Sequence, residues 1–172
     1  MIPLDEARQY VLDRVARLGS ARVPLADAAG LVLAADVVAA EQVPPFANTA
    51  MDGFAVRAAD VASVPVTLEV IGTVAAGSTL DGAVGPGQAT RIMTGAPMPD
   101  GADAVVMVEK TTLDEAAGTV LIDLSVSEGN HVRRAGEDVE PGDLLFAAGT
   151  VLTAGHLGVL ASVGVQEVEC VR

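Results

Sequence analysis

The chain has 172 residues, 51% hydrophobic and 19% charged, which suits one ordinary domain or two small ones with a substantial core and excludes a disordered polar chain. Its 23 acidic residues against 10 Lys and Arg give a net charge of -13, which excludes a generic nucleic-acid binder and a protein held to anionic membranes by charge. Any anionic ligand must meet a local basic or metal-bearing site.

From Pro3 to Leu18 the residues Leu4, Ala7, Val11, Leu12, Val15 and Leu18 recur at three-to-four spacing. With Asp5 and Glu6 in the first turn and Arg14 and Arg17 in the last, this predicts a helix aligned with its macrodipole and stopped near Gly19. The same two acids stand where a secretory signal needs positive charge, and no apolar run approaches the ~18 residues of a membrane helix, so a protein that is neither exported nor membrane-bound is expected. A short helical turn is expected at 25–29, ending at Gly30, followed by extended chain at 31–33 and 37–38. Pro44-Pro45 must be extended and cannot donate ladder hydrogen bonds, and the first domain boundary is placed there.

Between Pro45 and about Val139 the runs 64–71, 88–93, 104–108 and 119–124 are apolar or alternating and bounded by Gly, Pro, Asp and Ser, as strands are. After Pro141-Gly142-Asp143 come a strand at 144–146, a helix from Thr153 to about Ser162 capped by Thr153 and closed at Gly164, and a last strand at 165–171. The two terminal helices are expected to pack together. The predicted fold class is therefore α+β and β-rich: a discontinuous small α/β domain of residues 1–44 and 140–172 with an inserted all-β domain of residues 45–139.

Cys170, the one cysteine, can form neither an intrachain disulfide nor a multi-cysteine zinc site; it fits a reducing cytoplasm and reads as a strand residue. Only Tyr10, Phe46, Phe54 and Phe146 are aromatic, so no stacking platform for single-stranded nucleic acid is available. His131 and His156 read as structural or surface residues. The dinucleotide glycine fingerprint, the phosphate loop, the nucleophile elbow and the zinc-protease motif are missing, and Lys110 is the one lysine, which argues against a kinase, an ATPase or a Schiff-base enzyme.

Three Gly-containing segments hold polar residues that a simple β-domain does not need. In the first, residues 45–57, Asp52-Gly53 is a turn signal by itself. In the second, residues 91–106, a strand runs into a Thr94-Gly95 turn and a proline-stiffened loop, which suits a hydroxyl and free backbone N–H groups offered to a ligand, although a plain connecting loop has the same composition. In the third, residues 129–139, Arg133 and Arg134 precede Gly136, Glu137 and Asp138. That string reads either as a phosphate site beside a metal-holding carboxylate, or as a solvated hairpin with ion pairs of roughly 0–1 kcal/mol each.

Taken together, Ala50-Met51-Asp52-Gly53-Phe54-Ala55-Val56-Arg57, the string from Thr94 to Val106, and Gly129 to Asp138 resemble the amino-terminal half of the molybdopterin molybdotransferases, the MoeA and gephyrin E-domain family. The resemblance covers almost the whole chain. It implies an enzyme that transfers molybdenum from molybdate into adenylylated molybdopterin with Mg2+. It also implies that a larger adenylyltransferase-like domain and a small β-barrel domain follow, and that the chain is an incomplete part working in a cytoplasmic homodimer. Carried over residue by residue, Asp52, Thr94 and Asp138 match positions important for activity and facing the active cleft, and Arg133 and Arg134 match a basic stretch beside the last. Because molybdate and the pterin phosphate are anions, Asp52 and Asp138 are expected to hold Mg2+ or a metal-bound water, with Thr94 offering a hydrogen bond. Two other readings compete: a non-catalytic dimerising or peptide-binding scaffold of the gephyrin type, and a stand-alone β-rich hydrolase using both acids with a metal.

Overall fold

The computed structural model describes residues 2–16 and 18–172. In chain order the elements are α1 (Leu4–Leu12), β1 (Ser20–Pro24), β2 (Val37–Val38), β3 (Asn48–Thr49), β4 (Gly53–Val56), β5 (Val66–Val74), β6 (Gln88–Ile92), β7 (Ala104–Met107), β8 (Thr111–Asp114), β9 (Thr119–Ile122), β10 (Val132–Arg133), β11 (Leu144–Phe146), α2 (Ala154–Ser162) and β12 (Glu167–Val171). The fold is β-rich α+β. It divides into two compact units, Met1–Glu41 with Pro141–Arg172, and Gln42–Glu140.

In the discontinuous unit, β1 pairs antiparallel with β12 from Ser20↔Val171 to Pro24↔Glu167, and β2 pairs antiparallel with β11 through a register shift between Leu144 and Phe146. Val23, Leu33, Leu152, Leu160, Val168 and Cys170 form its core. Cys170 is a buried strand residue whose thiol pKa is pushed up by desolvation. Helix α2 begins at Thr153, whose backbone N–H donates to Nδ1 of His156 at 3.0 Å, one turn into the helix. The ring of His156 also meets Phe146 edge-on, with centroids 4.6 Å apart. His156 thus caps a helix and packs.

Helix α1 departs from the expectation in length and packing. Beyond Leu12 the N–H groups of Arg14 and Val15 bond three residues back, to the carbonyls of Val11 and Leu12, and the guanidinium of Arg14 bonds the Tyr10 carbonyl. These tighter bonds end the α-helix although the apolar spacing continues. Arg17, expected in its last turn, lies outside the described residues. None of the residues of α1 is buried, whereas α2 buries Leu160. The expected packing of the two terminal helices on each other is therefore not seen.

The second unit is built on a six-stranded sheet of order β7-β4-β6-β5-β9-β8, antiparallel throughout except for the parallel β5–β6 pair. Side chains alternate along β4, so Phe54 and Val56 join one apolar cluster with Val61, Leu68, Val106 and Ile122, while Ala55 joins another with Val74, Ile92 and Val105. All four residues of β4 are buried. The sequence marks Asp52-Gly53 as a turn, and the structure makes Gly53 the first residue of this buried strand.

Candidate functional site

The short strand β3 gathers the three polar segments. On one side it pairs with β10, Val132 opposite Thr49 and Arg133 opposite Asn48, and the Ala50 N–H donates to the His131 carbonyl at 3.0 Å. On the other, the Thr49 N–H donates to the Ala96 carbonyl at 3.1 Å, and the Gly95 N–H returns a bond to the Thr49 carbonyl at 2.9 Å. Segments that are remote in sequence are thereby stitched to one backbone. Just beyond β3, the Thr49 hydroxyl donates to the Met51 carbonyl at 2.7 Å and accepts from the Met51 N–H at 3.1 Å, shaping the bend that presents Asp52.

Asp52 is exposed, and its Oδ1 accepts two hydrogen bonds from Thr94, from the backbone N–H and from the hydroxyl, each at 2.7 Å. The β4–β6 register explains the meeting, because Gly53 lies opposite Ile92 and each chain then turns outward at the same end of the pair. Hydrogen bonding from the Thr94 N–H, then from its hydroxyl, lowers the Asp52 pKa from its ordinary value against an opposing desolvation, and the Arg91 charge adds the least of these effects. Asp52 is therefore ionised at neutral pH.

The third segment makes a separate arrangement. The Arg133 guanidinium pairs with the Asp138 carboxylate, the Arg134 N–H donates to Oε2 of Glu137 at 2.8 Å, and the Asp138 N–H donates to the Val43 carbonyl at 2.9 Å. Both members of the ion pair are substantially exposed. Among the described residues, the side chain of Arg134 has no ion-pair or hydrogen-bond partner, and no contact of either kind joins Asp52–Thr94 to Arg133–Asp138. The structure thus brings the expected residues together as two pairs and leaves Arg134 uncommitted.

Sequence reasoning passed over three residues that build this place. Asn48 and Thr49 are buried polar residues on β3, and Arg91 supplies positive charge to Asp52 from β6. Their only signal is that they lie inside or beside the polar strings.

Residues 2–164 match the family described as the MoeA N-terminal region (domain I and II), and the chain belongs to that family. It is 39% identical over 173 residues to the molybdopterin molybdenumtransferase of Haemophilus influenzae, covering 100% of this chain and 42% of the relative. It is 40% identical over 177 residues to the molybdopterin molybdenumtransferase of Bacillus subtilis, covering 99% and 41%. The crystal structure of the molybdopterin biosynthesis MoeA protein from Pyrococcus horikoshii OT3 superposes with a TM-score of 0.92 at 32% identity, covering 99% of this chain and 46% of that one. The chain spans less than half the length of these relatives.

Proposed function

We propose that this chain is the amino-terminal part of a molybdopterin molybdenumtransferase, which inserts molybdenum from molybdate into adenylylated molybdopterin during molybdenum cofactor biosynthesis. The observation that carries the reading is the exposed Asp52–Thr94 pair, built by buried β3 and the β4–β6 register at the end of the sheet. A scaffold does not need an ionised carboxylate locked there; a cleft wall does. Relatives bearing that activity in their names match the whole chain.

In this account Asp52 and Thr94 line the cleft, Arg134 meets substrate phosphate or molybdate with its open guanidinium, and Arg133 holds Asp138 in place. The remaining walls come from the adenylyltransferase-like and β-barrel domains of the full-length protein and from a second copy of the chain. The exposed apolar face of α1 supports a homodimer, with Leu4 82% and Val11 57% exposed. The working compartment is the cytoplasm, consistent with a lone reduced cysteine. Among the described residues no helix is long and apolar enough to cross a membrane.

Mg2+ belongs to the same proposal, as a requirement of the full-length enzyme. Mg2+ is held by one or two carboxylates together with water and substrate phosphates. Here one oxygen of Asp52 is filled by Thr94, Asp138 is paired with Arg133, and among the described residues no group of three or more His, Cys, Asp or Glu gathers. These residues do not make a Mg2+ site by themselves, and water, substrate phosphates and the rest of the full-length protein are proposed to supply most of the ion's ligands.

Calorimetric titration of the chain with adenylylated molybdopterin, molybdate and Mg2+, with light scattering for mass, tests the reading. A dimer that binds weakly agrees with one wall of a shared cleft. Molybdenum insertion by these 172 residues alone contradicts it.

A further inference from the structure

The contact between Asp52 and Thr94 has a direction. An ionised carboxylate accepts hydrogen bonds and has none to give, so the single proton of the Thr94 hydroxyl lies on the 2.7 Å line to Oδ1 of Asp52. The Thr94 N–H is committed to the same oxygen. Two acceptors remain for a ligand: Oδ2 of Asp52 and the lone pairs of Thr94 Oγ1.

Residues 95–98, which follow, offer no compensating backbone donors. The Gly95 N–H is taken by the Thr49 carbonyl at 2.9 Å, the Ala96 N–H by the Met93 carbonyl at 2.9 Å, and the Met98 N–H by the Ala47 carbonyl at 2.9 Å; Pro97 has none. The expectation that this Thr-Gly turn presents a hydroxyl proton and free N–H groups is therefore reversed. An anion bound at this pair would meet lone pairs and a negative charge. Arg91 offsets part of that charge and makes no hydrogen bond to Asp52.

We propose that Asp52 and Thr94 form an acceptor-only edge that recognises hydrogen-bond donors, and that its ligand is the N–H-bearing edge of the pterin ring, while molybdate and phosphate are turned away from it. A reduced pterin carries several ring and amino N–H donors, which matches two adjacent acceptors; molybdate and phosphate are dominated by acceptor oxygens. This inference rests on the pterin substrate of the proposed function. It divides the labour of the cleft: the heterocycle meets Asp52 and Thr94, and the oxyanions meet Arg134 and the rest of the enzyme.

The test is amide NMR of the chain with three probes added singly at millimolar concentration: a phosphate-free tetrahydropterin, sodium molybdate and magnesium chloride. Tetrahydropterin is expected to shift the Thr94 and Gly95 signals saturably, with the other two leaving them in place. Asp52→Asn keeps a carbonyl oxygen for Thr94 but turns an amide donor outward, so it should retain the Thr94 amide position and weaken tetrahydropterin at least tenfold. Thr94→Val should weaken it as well, and Thr94→Ser should restore it. A saturable response of Thr94 to molybdate overturns the proposal, as does silence towards tetrahydropterin or unchanged binding by Asp52→Asn. A response to Mg2+ instead of pterin makes the edge a seat for metal-bound water and overturns the assignment to the heterocycle. The proposed function fails separately, through absence of molybdenum insertion by the full-length protein while the tetrahydropterin response persists.

Discussion

Gly53 and Val106 meet backbone to backbone: a Cβ at position 53 would lie 2.1 Å from the Val106 carbonyl oxygen. The close approach fastens β4 to β7 one residue after Asp52, so strand packing and the placement of the carboxylate are one feature. Gly53→Ala forces the strands apart, and overpacking of this kind costs about 1–3 kcal/mol. Denaturant unfolding is expected to show that loss, together with a displaced Thr94 amide signal. An alanine variant with wild-type stability would mean that the two strands do not lie this close.

Thr90 is fully buried on β6, and among the described residues its hydroxyl has no hydrogen-bond partner. An unpaired buried polar group is destabilising by about 1–3 kcal/mol, and Val has nearly the same shape. Thr90→Val is expected to leave the thermal midpoint unchanged or raise it. A fall of several degrees would reveal a partner for the hydroxyl.

Most of the large strands were legible because their signal is local. The runs at 64–71, 88–93, 104–108 and 119–124 overlap β5, β6, β7 and β9, each an apolar stretch bounded by turn residues. Strand β8 carries two threonines and an aspartate in four residues, with alternating exposure, and gives no apolar run. Strand β4 was hidden by Asp52-Gly53, whose turn chemistry masks a glycine required by a neighbouring strand. Thr153 was readable as a helix cap, but His156 as its partner was not, since the usual pattern places Glu or Gln there.

The site was legible as residues and not as pairs. Thr94 reaches Asp52 across 42 positions through the register of β4 and β6, which no local spacing encodes. Arg133 and Asp138 are only five apart, and their ion pair was one of the two readings open from the sequence.

The lowered pKa of Asp52 fixes the sign of a pH effect. A carboxyl whose folded value lies below its unfolded value, about 3.9, contributes stability that is fully present above the unfolded value and is lost as pH falls through the folded one. Carbon-detected NMR of the Asp52 carboxyl should therefore give a midpoint below the ordinary aspartate value, and the Thr94 amide should titrate with it. A midpoint at or above the ordinary value would show that Thr94 does not hold the ionised form.

Helix α1 buries none of its residues, and Leu4 and Val11 are seven apart on one face. Light scattering is expected to report a dimer for the unaltered chain and a monomer for Leu4→Glu with Val11→Glu. Circular dichroism should be unchanged, because neither side chain belongs to a core. A double variant that stays dimeric would place the interface elsewhere.

Whether the residues held on this frame serve molybdenum insertion is read from molybdenum cofactor formation by the full-length protein carrying Asp52→Ala or Asp138→Ala. Each variant is expected to fold, since both carboxylates are exposed, and to lose insertion by at least tenfold. Insertion at the wild-type rate by both variants would contradict the account.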